Sequence, residues 1–358
     1  MNTEVTGQKR ERSTEEQAAV KKQKTVLDQF KNPPSMERLL SWATAGKLTA
    51  EEKKPLVTIN ATSSIADAIK VLADNKILSA PVVEDGLGFP SYRGFIDMFD
   101  ILRVILKIYS KDKYTTVEEW WRDYTTNVTE LQVKSSILKT TTVLTALGDT
   151  SSVYNAYEFD TPLSQILNDF QKGIHRVAVG KDGKLTSILS QSTVLRYLAK
   201  NVSHLSKYAK RETVMNIGIG TIGTGSLLKI NYTTPTIEAF YMLYLNNKSA
   251  LPIVDNEGTL LANLSISDLR GISTRNFASL LLPVLEFISC QVSEFRPPIT
   301  VDISDPFETV LLKLAATKVH RVWVKNNAEL AGVISLTDVM KIIPAAYNPK
   351  VDVAQWFS

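Results

Sequence analysis

Apolar and polar positions in this chain recur in one fixed order, four times over. The first instance opens on Val57-Thr58-Ile59 and continues through Ser64 to Leu72, where Ile65, Ala68, Ile69 and Leu72 stand at i, i+3, i+4 and i+7. That spacing predicts a helix with one apolar face. Ala80-Pro81-Val82-Val83 and Gly94-Phe95-Ile96 have the short apolar runs of strands, and Asp100-Ile101-Leu102 enters a second helix. The second instance runs through Thr161-Pro162-Leu163, Ile174 to Val179, Leu185 to Ser190 and Val194-Leu195. The third uses Leu228-Lys229-Ile230, Thr234 to Glu238, Ala250 to Val254, the turn Asp255 to Gly258, and Leu261 to Leu269. The fourth uses Ile299-Thr300-Val301, Asp305-Pro306-Phe307, Val319 to Val324, Ala331 to Ser335, and Asp338-Val339-Met340. A unit of roughly 50 residues buries too little apolar surface to stand alone, so the units are expected to pack in pairs, sheet against sheet.

Composition narrows the class. With 358 residues, 44% hydrophobic and 22% charged, the chain has the make-up of a folded protein. The apolar stretch Phe277 to Cys290 is interrupted by Pro283 and Glu286, too short for a bilayer, so no membrane span is expected. One cysteine, Cys290, cannot form an internal disulfide, and the charged start Met1 to Arg12 has no apolar core of a secretion signal. These features point to a reducing interior. Residues 1–54 carry eleven Lys/Arg against eight Asp/Glu, leaving the body nearly neutral and giving no footprint for nucleic acid. Within this tail, Lys9-Arg10 and Lys21-Lys22-Gln23-Lys24 have the spacing of a bipartite nuclear import signal, with a solvated charged tail as the plainer reading.

The order of elements, with Ala-Pro-Val-Val at positions 80–83 and Ser-x-x-Asp at the head of the last helix, resembles the cystathionine-beta-synthase (CBS) domain. Four copies in one chain resemble the gamma regulatory subunit of AMP-activated protein kinase and its fungal and plant relatives. The closest local matches are Ile219-Gly220-Thr221 with Thr233-Thr234-Pro235, Ser249 to Pro252, Val319-His320-Arg321-Val322, and Gly332 to Asp338. The resemblance implies an α+β fold of four CBS repeats in two Bateman modules, 56–201 and 219–348, forming a pseudo-symmetric disk behind a disordered charged tail. The boundaries expected are tail 1–54, repeat 1 at 56–110, a connector insertion at 111–151, repeat 2 at 152–201, a connector at 202–226, repeat 3 at 227–275, a connector helix at 276–296, and repeat 4 at 297–348.

Three carboxylates, Asp100, Asp268 and Asp338, stand at equivalent places, three residues after Asp97, Ser265 and Ser335. A carboxylate there can accept two hydrogen bonds from a ribose diol. It can equally be a helix cap. Repeat 2 has Thr193 instead, which cannot replace a carboxylate for a diol, and the gamma family also lacks this acid in its second repeat. His175-Arg176 and His320-Arg321 begin corresponding strands. They are either solvated strand ends or a shared pocket for an anion, and in the gamma family this position reads nucleotide phosphates. The resemblance also places Thr221, Ser265, Ser335 and Thr337 near nucleotide. It is imperfect at Leu78, where the family's first repeat has Arg, and at Ser192, where its second has Lys; fewer phosphate donors imply weaker or fewer sites.

Gly218-Ile219-Gly220-Thr221-Ile222-Gly223 spells the dinucleotide fingerprint but precedes a strand, not a helix, so a flexible approach to repeat 3 is expected. Trp120-Trp121 in the long connector points to a partner or inter-module surface or to an insertion covering the edge of the first module, and Trp323 and Phe295 read as core or near-core. His204 and Cys290 have no partners for catalysis, and neither a Walker loop nor metal-ligand spacing occurs, so no enzyme is expected. The implied function is a nucleotide-sensing kinase regulator in cytoplasm and nucleus. Its regulatory ligands would be AMP, ADP or ATP, without a cofactor or metal, and its partners a kinase catalytic subunit and a scaffold subunit. The alternative is a stand-alone CBS regulator or scaffold of another enzyme or transporter.

Overall fold

The computed structural model describes residues 36–52, 55–85, 90–109, 133–148, 155–205, 210–222, 227–291 and 297–347. The two basic clusters of the tail, Trp120-Trp121 and Phe295 lie outside them. Four small sheets are present among the described residues. In repeat 1, β1 (Ile59–Asn60) pairs parallel with β2 (Ser79–Asp85), which pairs antiparallel with β3 (Pro90–Asp97). Repeat 2 builds the same sheet from β4 (Ala156–Glu158), β5 (Arg176–Lys181) and β6 (Lys184–Ser190). The linker after it forms β7 (Thr221–Ile222). Repeat 3 uses β8 (Ile230–Asn231), β9 (Ala250–Val254) and β10 (Leu260–Ser265), and repeat 4 uses β11 (Thr300–Asp302), β12 (Arg321–Asn326) and β13 (Glu329–Ser335). In each repeat a helix fills the parallel crossover: Ile65–Asp74, Leu163–Gln171, Thr236–Leu245 and Phe307–Thr317. Just past each one, the turn uses positive φ, at Lys76, Gly173, Asn247 and Lys318, which stops the helix and aims the chain into the next strand.

The cores do not follow the modules. Repeats 1 and 3 share one cluster, in which Ile101, Ile105, Phe240 and Phe287 are fully buried, and repeats 2 and 4 share another around Phe170, Leu198, Phe307 and Leu314. Helices meet across the modules: Met98–Ile108 of repeat 1 packs on Thr236–Leu245 of repeat 3, and Gln191–Lys200 of repeat 2 on Phe307–Thr317 of repeat 4. The sheet-on-sheet contact expected within a pair is seen in a smaller cluster, Val254, Trp323 and Leu330, which joins repeats 3 and 4 and places Trp323 in a core as the sequence suggested.

Three boundaries need correction. The tail was expected to run to residue 54, but Met36–Trp42 and Ala45–Glu52 are helices whose Leu39, Leu40, Ala43, Ala45 and Leu48 are buried against repeats 2 and 4. The connectors are also structural parts of repeats. An isolated antiparallel bridge joins Thr44 to Pro162, Ser64 to Thr142, Thr213 to Pro306 and Pro235 to Pro283, so each repeat is closed by a segment that precedes its neighbour in the chain. Repeats 1 and 2 exchange these segments, as do repeats 3 and 4. Val143 and Leu147, Val214 and Ile219, and Val284 and Phe287 thus enter cores although they lie in presumed connectors. The flexible approach to repeat 3 is corrected as well. β7 adds to the sheet of repeat 4, with Thr221 opposite Val333, at a crossing so close that a Cβ on Gly220 would collide with the Val333 carbonyl and one on Gly332 with that of Thr221.

Candidate functional site

The ladder register aligns the four repeats better than the sequence does. The last pair of each hairpin is Ser79 with Asp97, Arg176 with Ser190, Ala250 with Ser265, and Arg321 with Ser335. Immediately past the second member the chain turns into a helix, and the residue three further on folds back. Asp100 Oδ2 accepts the Asp97 amide at 3.0 Å, Asp268 Oδ2 that of Ser265 at 2.7 Å, and Asp338 Oδ2 that of Ser335 at 2.8 Å, with the Ser335 hydroxyl at 2.6 Å. In repeat 2, Ser190 Oγ and Thr193 Oγ1 lie 2.9 Å apart and make a cap without a carboxylate. All four positions are therefore helix caps first.

The caps differ in what they leave over. Asp100 spends its other oxygen on Arg103 at 3.0 Å, and Arg103 also donates to the Ala146 carbonyl at 2.6 Å, so both oxygens of Asp100 are taken. Asp268 and Asp338 use only Oδ2, and no donor among the described residues sits on Oδ1. Burial pushes Asp100 and Asp268 up to about 6; for Asp100 the neighbouring Asp97 charge adds to this, while for Asp268 the Ser265 amide and the charges of Arg270 and Arg321 pull the other way. Thr337 faces elsewhere than expected. Its hydroxyl lies 3.1 Å from Gln191 Nε2, a buried side chain that also donates to the Phe170 and Ile174 carbonyls, so Thr337 seals the joint between repeats 2 and 4. Thr221 is exposed on the edge of repeat 4, opposite Val333 and thus two residues from Ser335.

The two His–Arg pairs converge where the repeats meet. His175 feels the charges of Arg176, Asp97 and Arg321, and His320 those of Arg321, Arg176, His175 and Arg270. Arg321 donates to Ser249 Oγ at 2.7 Å and lies beside Asp268 and Asp338, while Arg176 lies beside Asp97. All four repeats thus contribute a charged or polar group to one place. Both histidines are exposed to solvent, although enough protein lies around them to penalise the charged form. Sequence reasoning missed Asp97, Arg270 and Ser249 as members of this cluster. The signal available was the hairpin register, which is not written in the sequence.

Desolvation, and then the neighbouring guanidinium groups, hold both histidines below their ordinary value, His320 at about 4. They are therefore neutral at pH 7. A histidine whose folded pKa is depressed costs stability as pH falls from its unfolded value near 6.5 towards the folded one. The parent chain is therefore expected to lose more melting temperature between pH 6.5 and 4.5 than a His175→Gln/His320→Gln variant. Asp100 and Asp268 shift in the opposite sense and are common to both proteins, so they cancel in that difference. Equal pH slopes for the two proteins would show that the histidines titrate normally.

Thr193, at the vacant acid position, opens on a separate cleft of about 110 Å³ lined by Leu48, Glu51, Glu52, Thr193, Arg196, Tyr197 and Lys200. There Arg196 pairs with Glu52 and Lys200 with Glu51, holding the helix Ala45–Glu52 across repeat 2. No group of residues suited to a metal ion occurs among the described residues, and no described helix is long and apolar enough to cross a membrane.

Residues 52–107, 158–200 and 292–345 match the model of the CBS domain. These three stretches are CBS domains. It is 24% identical over 323 residues to the protein SDS23 of Candida albicans, across 83% of this chain and 51% of that protein. To the 5'-AMP-activated protein kinase subunit gamma of Saccharomyces cerevisiae it is 24% identical over 313 residues, across 82% of this chain and 88% of that one. The chain spans about half the length of the SDS23 relatives it matches. Its fold is similar to the crystal structure of a Methanocaldococcus jannaschii protein described as a candidate archaeal homologue of the kinase gamma subunit, with a TM-score of 0.63, 16% identity, and coverage of 84% of this chain and 99% of that one. In fold, the chain is thus similar to that structure over most of its length.

Proposed function

We propose that this chain is an adenine-nucleotide-sensing regulatory subunit, of gamma type, of an SNF1/AMP-activated-type kinase. The observation that carries the reading is the convergence of His175, Arg176, His320 and Arg321 with Asp268 and Asp338 where the repeats meet, with both histidines exposed to solvent. Arginine forks suit phosphate oxygens, and the unused Oδ1 of Asp268 and of Asp338 suits a ribose hydroxyl. Repeat 1 is not ready to bind in this way, since Arg103 occupies Asp100, and repeat 2 lacks the acid. Two ribose positions, in repeats 3 and 4, are therefore proposed. AMP, ADP or ATP would act as regulatory ligand, and occupancy would be passed to a catalytic and a scaffold subunit. The basic clusters at 9–10 and 21–24 support, on this reading, a location in nucleus as well as cytoplasm.

A second reading, a CBS regulator of some other enzyme or transporter, is favoured by one observation: relatives named SDS23 match at 23–26% identity, beside 24% for the kinase subunits. Calorimetry of the purified chain with AMP, ATP and adenosine, together with co-expression with kinase catalytic and scaffold subunits, separates the two readings. Nucleotide binding without assembly favours the second.

Asp338→Ala refines the site. Loss of the cap is expected to lower stability by about 0.5–2 kcal/mol. Loss of the diol acceptor is expected to weaken AMP and adenosine alike by about ten- to a hundredfold. A variant that melts lower but binds both ligands as the parent does would reduce Asp338 to a cap.

A further inference from the structure

The hairpin register shows which repeats lack cations. The place held by His175 and His320 is filled by Leu78 in repeat 1 and Ser249 in repeat 3, and the arginine place by Ser79 and Ala250. Strand starts therefore deliver cations from repeats 2 and 4 alone. Repeat 3 holds one elsewhere, Arg270, two residues past Asp268.

Its placement follows from the local backbone. The chain after Ser265 winds as a 3₁₀ helix, Ile266–Gly271, where the other repeats have an α-helix. With three residues per turn, positions i and i+3 eclipse, so Arg270 stands directly over Ser267. Its Nε donates to the Ser267 carbonyl at 3.0 Å, which folds the side chain back towards the start of the helix. That end adjoins Ser265 and its ladder partner Ala250, and Arg321 bonds the neighbouring Ser249 at 2.7 Å. The half-buried guanidinium is close enough for its charge to act on both Asp268 and His320.

We infer that Arg270 is a third phosphate-directed cation of the central cluster, supplied by the 3₁₀ turn of repeat 3 and offsetting the cations missing at Leu78 and Ser192. The inference rests on the reading of the cluster as a phosphate site. A purely structural Arg270 would serve only to balance Asp268, and would then affect ribose and phosphate recognition alike.

The test is titration of the full chain with AMP and with adenosine, for the parent, Arg270→Ala, Arg270→Gln and Arg321→Ala, with each variant's melting curve recorded. Arg270→Gln keeps a donor for the Ser267 carbonyl while losing the charge, so it guards against a variant that does not fold. Either Arg270 variant is expected to weaken AMP about tenfold or more and to leave adenosine unchanged. AMP affinity at the parent value in Arg270→Gln, beside a clear loss in Arg321→Ala, would overturn this inference alone. So would equal losses of AMP and adenosine. If Arg321→Ala also binds AMP normally, or the parent does not bind it, the phosphate reading falls and Arg270 falls with it.

Discussion

Replacing Arg176 and Arg321 together by alanine is expected to weaken AMP binding by about two orders of magnitude or more while adenosine binds almost as before. Each guanidinium offers a charge-assisted bond to phosphate, and each such bond is worth about 1.5–3 kcal/mol. The gain on binding lies at the lower end, because Asp97, Asp268 and Asp338 already neutralise part of this charge in the ligand-free protein. The same carboxylates make the control necessary. Deleting the arginines removes countercharges from these half-buried acids, which lowers stability. The informative quantity is therefore the ratio of AMP to adenosine affinity, taken at a temperature well below the melting point of the variant. Arg176→Lys/Arg321→Lys keeps the charge and loses the fork, and it should fall between the two. A ratio unchanged from the parent would remove the phosphate role of the cluster.

Leu40→Ala is expected to cost about 2–5 kcal/mol in denaturant unfolding, the range for a fully buried leucine. Leu40 has no exposed surface and packs with the core of repeats 2 and 4. The helix after it is pinned by amides of Ala45 and Gly46 donating to the Thr161 and Phe159 carbonyls at 2.9 and 2.8 Å, and by Ser187 Oγ to Thr49 Oγ1 at 2.9 Å. Since whole domains are stable by only about 5–15 kcal/mol, such a loss is a large fraction of the total. In a solvated tail the same substitution would change stability by less than about 0.5 kcal/mol. A midpoint equal to the parent's would mean that residues 36–52 do not belong to the fold.

The strand, helix, strand, strand, helix order was written in the sequence, because each repeat's long helix buries a stripe at 3.6-residue spacing and its hairpin contains a short, continuously buried apolar run, as in Val177–Val179, Ala250–Val254 and Val322–Val324. Ile65, Ala68, Ile69 and Leu72 could be assigned from spacing alone, and all four are buried. The acids at the helix starts were legible for a similar reason: a capping box needs its two members three residues apart, and Ser265–Asp268 and Ser335–Asp338 are that far apart. The His–Arg pairs were legible as a repeated dipeptide.

What lay beyond the sequence was everything set by contact between distant segments. Val143–Leu147 and Val214–Ile217 are one turn long or little more, too short for any period to show, and they exist because Thr142 and Thr213 cap them and the cores of other repeats receive their apolar side chains. Residues 36–52 read as a charged tail because Arg38, Lys47, Glu51 and Glu52 dominate a short segment, while the leucines between them are buried only by residues more than a hundred positions away. That Asp100 is taken by Arg103 while Asp268 and Asp338 keep an oxygen open depended on side-chain geometry. The sequence alone thus determined four CBS-type repeats and the residue types at their helix starts. Tertiary structure decided which repeats share a core, which segments close which sheet, and which charges face one another, because hydrophobic burial and Coulomb interactions depend on proximity in space, which spacing along the chain does not encode.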